Sequence, residues 1–168
     1  MHNGIANYAL AEHAERCYRL WLIAKERLAA GAFDVAVMPL VLFFVPDPPA
    51  GVAEMVRVVR PGGIVSAYSW DVAGNRYPYA ELHSEMQDMG FPAPLPPKAD
   101  SSKLGELQRL WSDAGLRDIA TTVITVERTY ADFQDYWQMA QGAPSSGRPL
   151  AAMGAAEKDR LQARMRAR

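Results

Sequence analysis

The chain has a single cysteine, Cys17, among 168 residues. That excludes an intramolecular disulfide and any metal site built from several thiolates, and it fits a reducing interior. Long apolar runs are missing too: no stretch of about 18 apolar residues is present to cross a bilayer. The N-terminus, MHNGIANYALAEHAERC, has no basic start leading into an apolar stretch. No secretory signal is read there, and the expected location is cytoplasmic. Charge of one sign is lacking as well, with 18 basic and 19 acidic side chains and a net charge of -1. Nucleic acid and membrane surfaces are therefore not expected partners, since both need a strong positive field. No repeat, low-complexity tract, metal-ligand spacing, nucleophile elbow or phosphate loop is found. What is present is a 49% apolar composition, enough for one domain with a core.

The chain opens on a predicted helix over residues 5–29, loosely periodic, broken by Gly31. Phe33 to Met38 (FDVAVM) reads as a buried strand. An apolar stretch, LVLFFV at 40–45, leads to Asp47-Pro48, an N-cap carboxylate with proline at the first helical position. Val52, Met55, Val56 and Val59 then share one helical face. Pro61-Gly62-Gly63 stops that helix, and Ile64 to Trp70 (IVSAYSW) reads as a second strand. Strand, helix, turn, strand is a βαβ unit, which sets the two strands parallel.

Downstream, a helix is predicted over 76–89, followed by a proline-rich extended connector over 91–100. A helix over 102–114 follows, with Leu104, Leu107, Trp111 and Ala114 on one face and Gly115 as its C′ glycine. Residues 118–127 (DIATTVITVE) are β-branched and read as a third strand. Asp132 caps a further helix with Phe133, Tyr136, Trp137 and Ala140 on one face. Gly142 to Pro149 reads as a loop, and a basic helix runs from Ala155 onward.

Residues 33–71, FDVAVMPLVLFFVPDPPAGVAEMVRVVRPGGIVSAYSWD, carry a resemblance. Phe33-Asp34, Pro46-Asp47, Glu54-Met55, Arg57-Val58 and Arg60-Pro61-Gly62-Gly63 match, in order and spacing, the fourth strand, fourth helix and fifth strand of class I S-adenosylmethionine-dependent methyltransferases. The segment Trp111 to Asp118 resembles that family's last helix and its turn into the sixth strand. Phe133 to Trp137 resembles a segment of one bacterial subgroup. The resemblance covers about residues 31–166. It implies an α/β chain with an incomplete Rossmann-like, doubly wound fold: a βαβ core and an extra N-terminal helix, with 1–30 a helix of unclear origin and 31–168 a partial methyltransferase domain.

The family's glycine-rich turn after the first strand and its acidic residue after the second have no counterpart in this chain. The family's last strand is missing too. The resemblance therefore implies S-adenosylmethionine as cofactor and a small-molecule acceptor, with weak or no activity by this chain alone. The alternatives are a non-catalytic interaction module that self-associates or pairs with another chain through exposed sheet edges, and a truncated or frame-shifted reading frame. Exposed edges also imply marginal stability.

Methyl transfer is an in-line displacement that depends mainly on positioning, so no universal catalytic residue is sought. By family position, Met38, Pro39 and Leu40 line the cofactor side, and Trp70 and Asp71 face the acceptor. Asp71 is also a plausible turn cap. His83 is expected at a surface or boundary, although its pKa suits acid–base work. Tyr77 and Tyr79 are candidates for an acceptor pocket, whereas Tyr136 and Trp137 are expected in the core. Glu54 and Arg57 are expected as solvated helix residues. The basic tail, with Lys158, Arg160, Arg164, Arg166 and Arg168, is expected to complement its own helix dipole.

Overall fold

A computed structural model describes residues 27–168, which divide into two compact units. The predicted helix over 5–29 lies mostly outside the described residues, and its last three, Arg27 to Ala29, are not helical.

Unit 1 comprises residues up to Arg76 together with Leu95–Thr122. Strand β1 (Phe33–Pro39) runs parallel to β2 (Val59–Tyr68), with helix α1 (Pro48–Val58) as the crossover. The βαβ expectation is met. Asp47 caps α1 as anticipated, its carboxylate accepting the Ala50 N–H at 3.1 Å. The second strand starts earlier and ends sooner than read, at Val59 and Tyr68. Pro61-Gly62-Gly63 lies inside it, as a break in register between Phe33↔Val59 and Val35↔Ile64. Glycine is needed there because Gly62 has φ 78° and a Cβ on Gly63 would collide with the Asp34 carbonyl and the Val59 side chain. Glu54 is buried rather than solvated, and it holds Arg57 in an ion pair at 2.5 Å.

One face of this small sheet is covered. Met38 packs with Leu42, Val52 and Leu110, the last from helix α2 (Leu104–Asp113). The Trp111 indole N–H donates to the Val65 carbonyl at 3.1 Å. Gly115, with φ 80°, ends α2 as read: Leu116 N–H reaches back to Trp111 and Gly115 N–H to Ser112. On the opposite face the alternating side chains Val35 (49%), Val37 (54%) and Ile64 (61%) remain solvent-exposed. A parallel sheet is ordinarily covered on both sides.

The predicted strand over 118–127 does not form. Those residues are extended but belong to no ladder, and Val123 and Ile124 are each 75% exposed. β-branched residues favour extended backbone, but a strand exists only by pairing, and no partner strand reaches them among the described residues.

Unit 2 comprises Tyr77–Pro94 and Val123–Arg168 and is helical. It contains α3 (Ala80–Asp88), α4 (Phe133–Gly142), α5 (Gly147–Ala152) and α6 (Ala155–Arg166). Asp132 caps α4 through the Asp135 N–H at 2.9 Å. The short helix α5 replaces the loop expected over 142–149. Pro149 sits in its first turn, where a missing N–H costs nothing, and buried Ser146 donates its hydroxyl to the Ala140 carbonyl at 2.6 Å. Leu82, Met86, Trp137, Ala140, Leu150, Met153 and Leu161 form one buried cluster. Trp137 is core as expected, with the Phe133 ring stacked on it at 6.1 Å.

The tail arginines are tied into this unit. Glu85, 5% exposed, accepts from Arg164 and, at 2.8 Å, from Arg168 Nε. The two guanidinium groups hold its carboxyl below the usual carboxylate range. Arg166 lies 4.0 Å over the Phe133 ring.

Candidate functional site

Open α/β sheets bind ligands where their parallel strands end, at the carboxyl edge. In unit 1 that edge is made by Met38, Pro39 and Leu40 leaving β1 and by Tyr68 to Asp71 leaving β2. Pro39 stands in register with Tyr68, and Leu40 N–H donates to the Tyr68 carbonyl at 2.9 Å. The five residues read from sequence thus lie on two chain segments that leave the sheet side by side.

Each has a definite environment. The Met38 side chain is half-buried against the Leu42, Val52 and Leu110 cluster, so much of its surface already serves packing. Pro39 is exposed. Leu40 has φ 52°, a left-handed conformation that costs a non-glycine residue about 1–2 kcal/mol. Such strain persists only where its surroundings fix it, and it gathers at ligand sites. Sequence reading gives no sign of it, because leucine rarely adopts this conformation.

Trp70 lies beyond the end of β2 rather than within it, half-buried, with its carbonyl accepting the Val72 N–H at 2.9 Å. Asp71 organises a tight turn. One carboxylate oxygen accepts the Gly74 N–H at 2.8 Å, and the other faces Arg76 Nε at 3.2 Å. With both oxygens serving the turn and its side chain 41% exposed, this carboxylate keeps lone pairs for a further contact.

A solvent-open groove of about 770 Å³ lies elsewhere in unit 1, lined among others by Pro48, Val72, Leu95, Lys98, Ser101 and Lys103. None of the five residues lines it, although Val72 directly follows Asp71. Ligand sites usually enclose most of a small molecule, and so open a groove does not.

Unit 2 holds the other candidates. Tyr136 is ringed by Tyr130 at 5.2 Å, Tyr79 at 5.9 Å and Phe133 at 5.9 Å. Burial first, then Tyr130, Tyr79 and Glu81, push its phenol up to about 12. Tyr79 opens α3 in a left-handed conformation, φ 65°. His83 is 6% exposed, not the surface or boundary residue expected. Its Nδ1 is 3.3 Å from the Tyr77 hydroxyl, its Nε2 is buried without a hydrogen-bond partner, and burial lowers its pKa to about 4. At neutral pH this ring is uncharged. Burial raises the Tyr77 phenol.

A nucleoside cofactor bearing an amino-acid tail needs acceptors for ribose hydroxyls and partners for a charged end. At the β1–β2 edge the described residues supply an apolar wall and backbone groups, and the one nearby carboxylate, Asp71, is already engaged. The residues present fit one side of such a ligand and do not fit the whole. Among the described residues, no group of three His, Cys, Asp or Glu can hold a metal, and no helix is long and apolar enough to cross a membrane.

Residues 8–67 match a family model described as a methyltransferase domain. The match takes in β1, α1 and β2 up to its penultimate residue, and begins well upstream of Phe33. No curated protein and no solved structure matches the chain significantly. The chain is thus similar to a methyltransferase domain over residues 8–67, a stretch that includes the parallel β1–α1–β2 unit and its Arg-Pro-Gly-Gly turn.

Proposed function

We propose that this chain takes part in methyl transfer from S-adenosylmethionine to a small-molecule acceptor, with Met38, Pro39 and Leu40 on the cofactor side and Trp70 and Asp71 toward the acceptor. The observation that carries the reading is the side-by-side exit of these two segments from a parallel strand pair, with Leu40 strained at the bend. The near-neutral charge supports a small-molecule acceptor over a polyanion.

Activity of the chain by itself is weak or nil in this reading. One apolar wall positions a ligand poorly, and positioning is most of what methyl transfer requires. Isothermal titration of the full chain with S-adenosylhomocysteine tests it. The expected dissociation constant is about 0.1–1 mM, and Leu40→Asp abolishes the heat. Absence of heat at millimolar ligand removes the cofactor role from Met38, Pro39 and Leu40. Nanomolar binding contradicts the incomplete grip.

A further inference from the structure

The backbone from residue 118 to residue 130 makes no backbone hydrogen bond among the described residues; its side chains are tethered at Thr121, whose Oγ1 accepts from Gln108 Nε2 at 3.2 Å, and at Tyr130, whose ring meets Tyr136 at 5.2 Å. Within it, Thr121 to Val126 is an unbroken run of β-branched residues without charge, and Val123, Ile124 and Val126 are 75%, 75% and 62% exposed. Single exposed apolar residues are ordinary, but a continuous extended run of them is a strand without a sheet.

The same chain carries an open sheet edge. Because Leu40 N–H points to β2, strand alternation turns the amides and carbonyls of Val35 and Val37 away from it. Nothing among the described residues takes them up. The β2 edge differs, since the Val65 carbonyl there receives the Trp111 indole. Natural edges are blunted by charge or proline. On β1 the one charge, Asp34, is neutralised by Arg60 at 2.6 Å, and Pro39 comes only at the end.

We propose that residues 119–127 of one copy pair with the free edge of β1 in a second copy, and that the reciprocal exchange closes a two-fold dimer. A second copy is the occupant because each chain holds, among its described residues, both halves of the pairing, an unpaired strand and an unpaired edge. Two identical exchanges satisfy both and leave no open end. The added strand also widens the sheet that bears the exposed Val35, Val37 and Ile64 face. The inference is independent of the methyl-transfer reading.

Light scattering on the full chain across a concentration series, paired with hydrogen exchange, tests it. The expected mass rises from one chain to two. Amides of 123–126 and of Val35 and Val37 slow together in the dimer by at least about tenfold. The double variant Ile124→Lys, Val126→Lys stays monomeric with unchanged helical circular dichroism, since both side chains are exposed in the single chain. A monomer at every concentration overturns the proposal. So does a dimer whose 119–127 amides exchange freely, or protection of that segment that does not depend on concentration.

Discussion

The two units solve the problem of burying apolar surface differently. Unit 2 surrounds Trp137 with side chains from all four of its helices, and its tail is fastened by Arg164 and Arg168 on Glu85. Unit 1 has, among the described residues, a two-stranded sheet with one covered face and one open face, although this strand–helix–strand segment lies within the match to a methyltransferase domain. The lesson is that a recognisable motif and a self-sufficient core are separate properties. The motif lies in unit 1 and the fuller core in unit 2.

That contrast can be broken by mutation. Trp137→Ala in unit 2 removes a 3%-exposed ring and is expected to cost about 3–5 kcal/mol in a denaturant titration. A loss near zero would deny that unit 2 is built around this residue. The next effect is in pH. His83 is held neutral, with a folded pKa of about 4 against an unfolded value near 6.5, so the unfolded chain binds the proton first as pH falls. Stability is then full above about pH 6.5 and declines toward pH 4, by up to about 3 kcal/mol. His83→Leu should flatten that slope, and an unchanged slope would assign it to other groups. Glu85→Gln is expected to lower the melting temperature by several degrees, because both guanidinium groups on it lose their anion, and the shift should shrink in high salt. The smallest effect belongs to unit 1: Ile64→Thr, at a 61%-exposed β-branched site, should stay within about 0.5 kcal/mol. A cost of 2 kcal/mol or more there would mean that the open face is covered in solution.

The legible parts were those written in neighbouring residues. Asp47-Pro48 announces the start of α1, Gly115 the end of α2 and Asp132 the start of α4, because a cap acts within one turn. The parallel pairing of β1 and β2 followed from a crossover whose handedness and polarity are restricted. The misread parts depend on distant partners. Residues 118–127 have strand composition, but composition supplies no neighbour. Helix α5 was hidden by Gly147 and Pro149, which read as loop residues until the buried Ser146 and its bond to Ala140 are seen. His83 on an amphipathic helix reads as a boundary residue, and its burial is set by packing. For the candidate site, position along the strands was readable. The left-handed Leu40, the packing of Met38 and the engagement of Asp71 with Gly74 and Arg76 were not, since each is fixed by three-dimensional contact.

The central claim is that β1 and β2 lie side by side in the same direction and so deliver Leu40 and Asp71 from one edge. Interstrand nuclear Overhauser contacts in the labelled chain test it most directly. The account predicts contacts stepping in parallel register, Val35 with Ile64, Val37 with Ser66 and Pro39 with Tyr68. Contacts stepping in opposite directions along the two strands, or none between them, would contradict it and remove the structural basis of the methyltransferase reading.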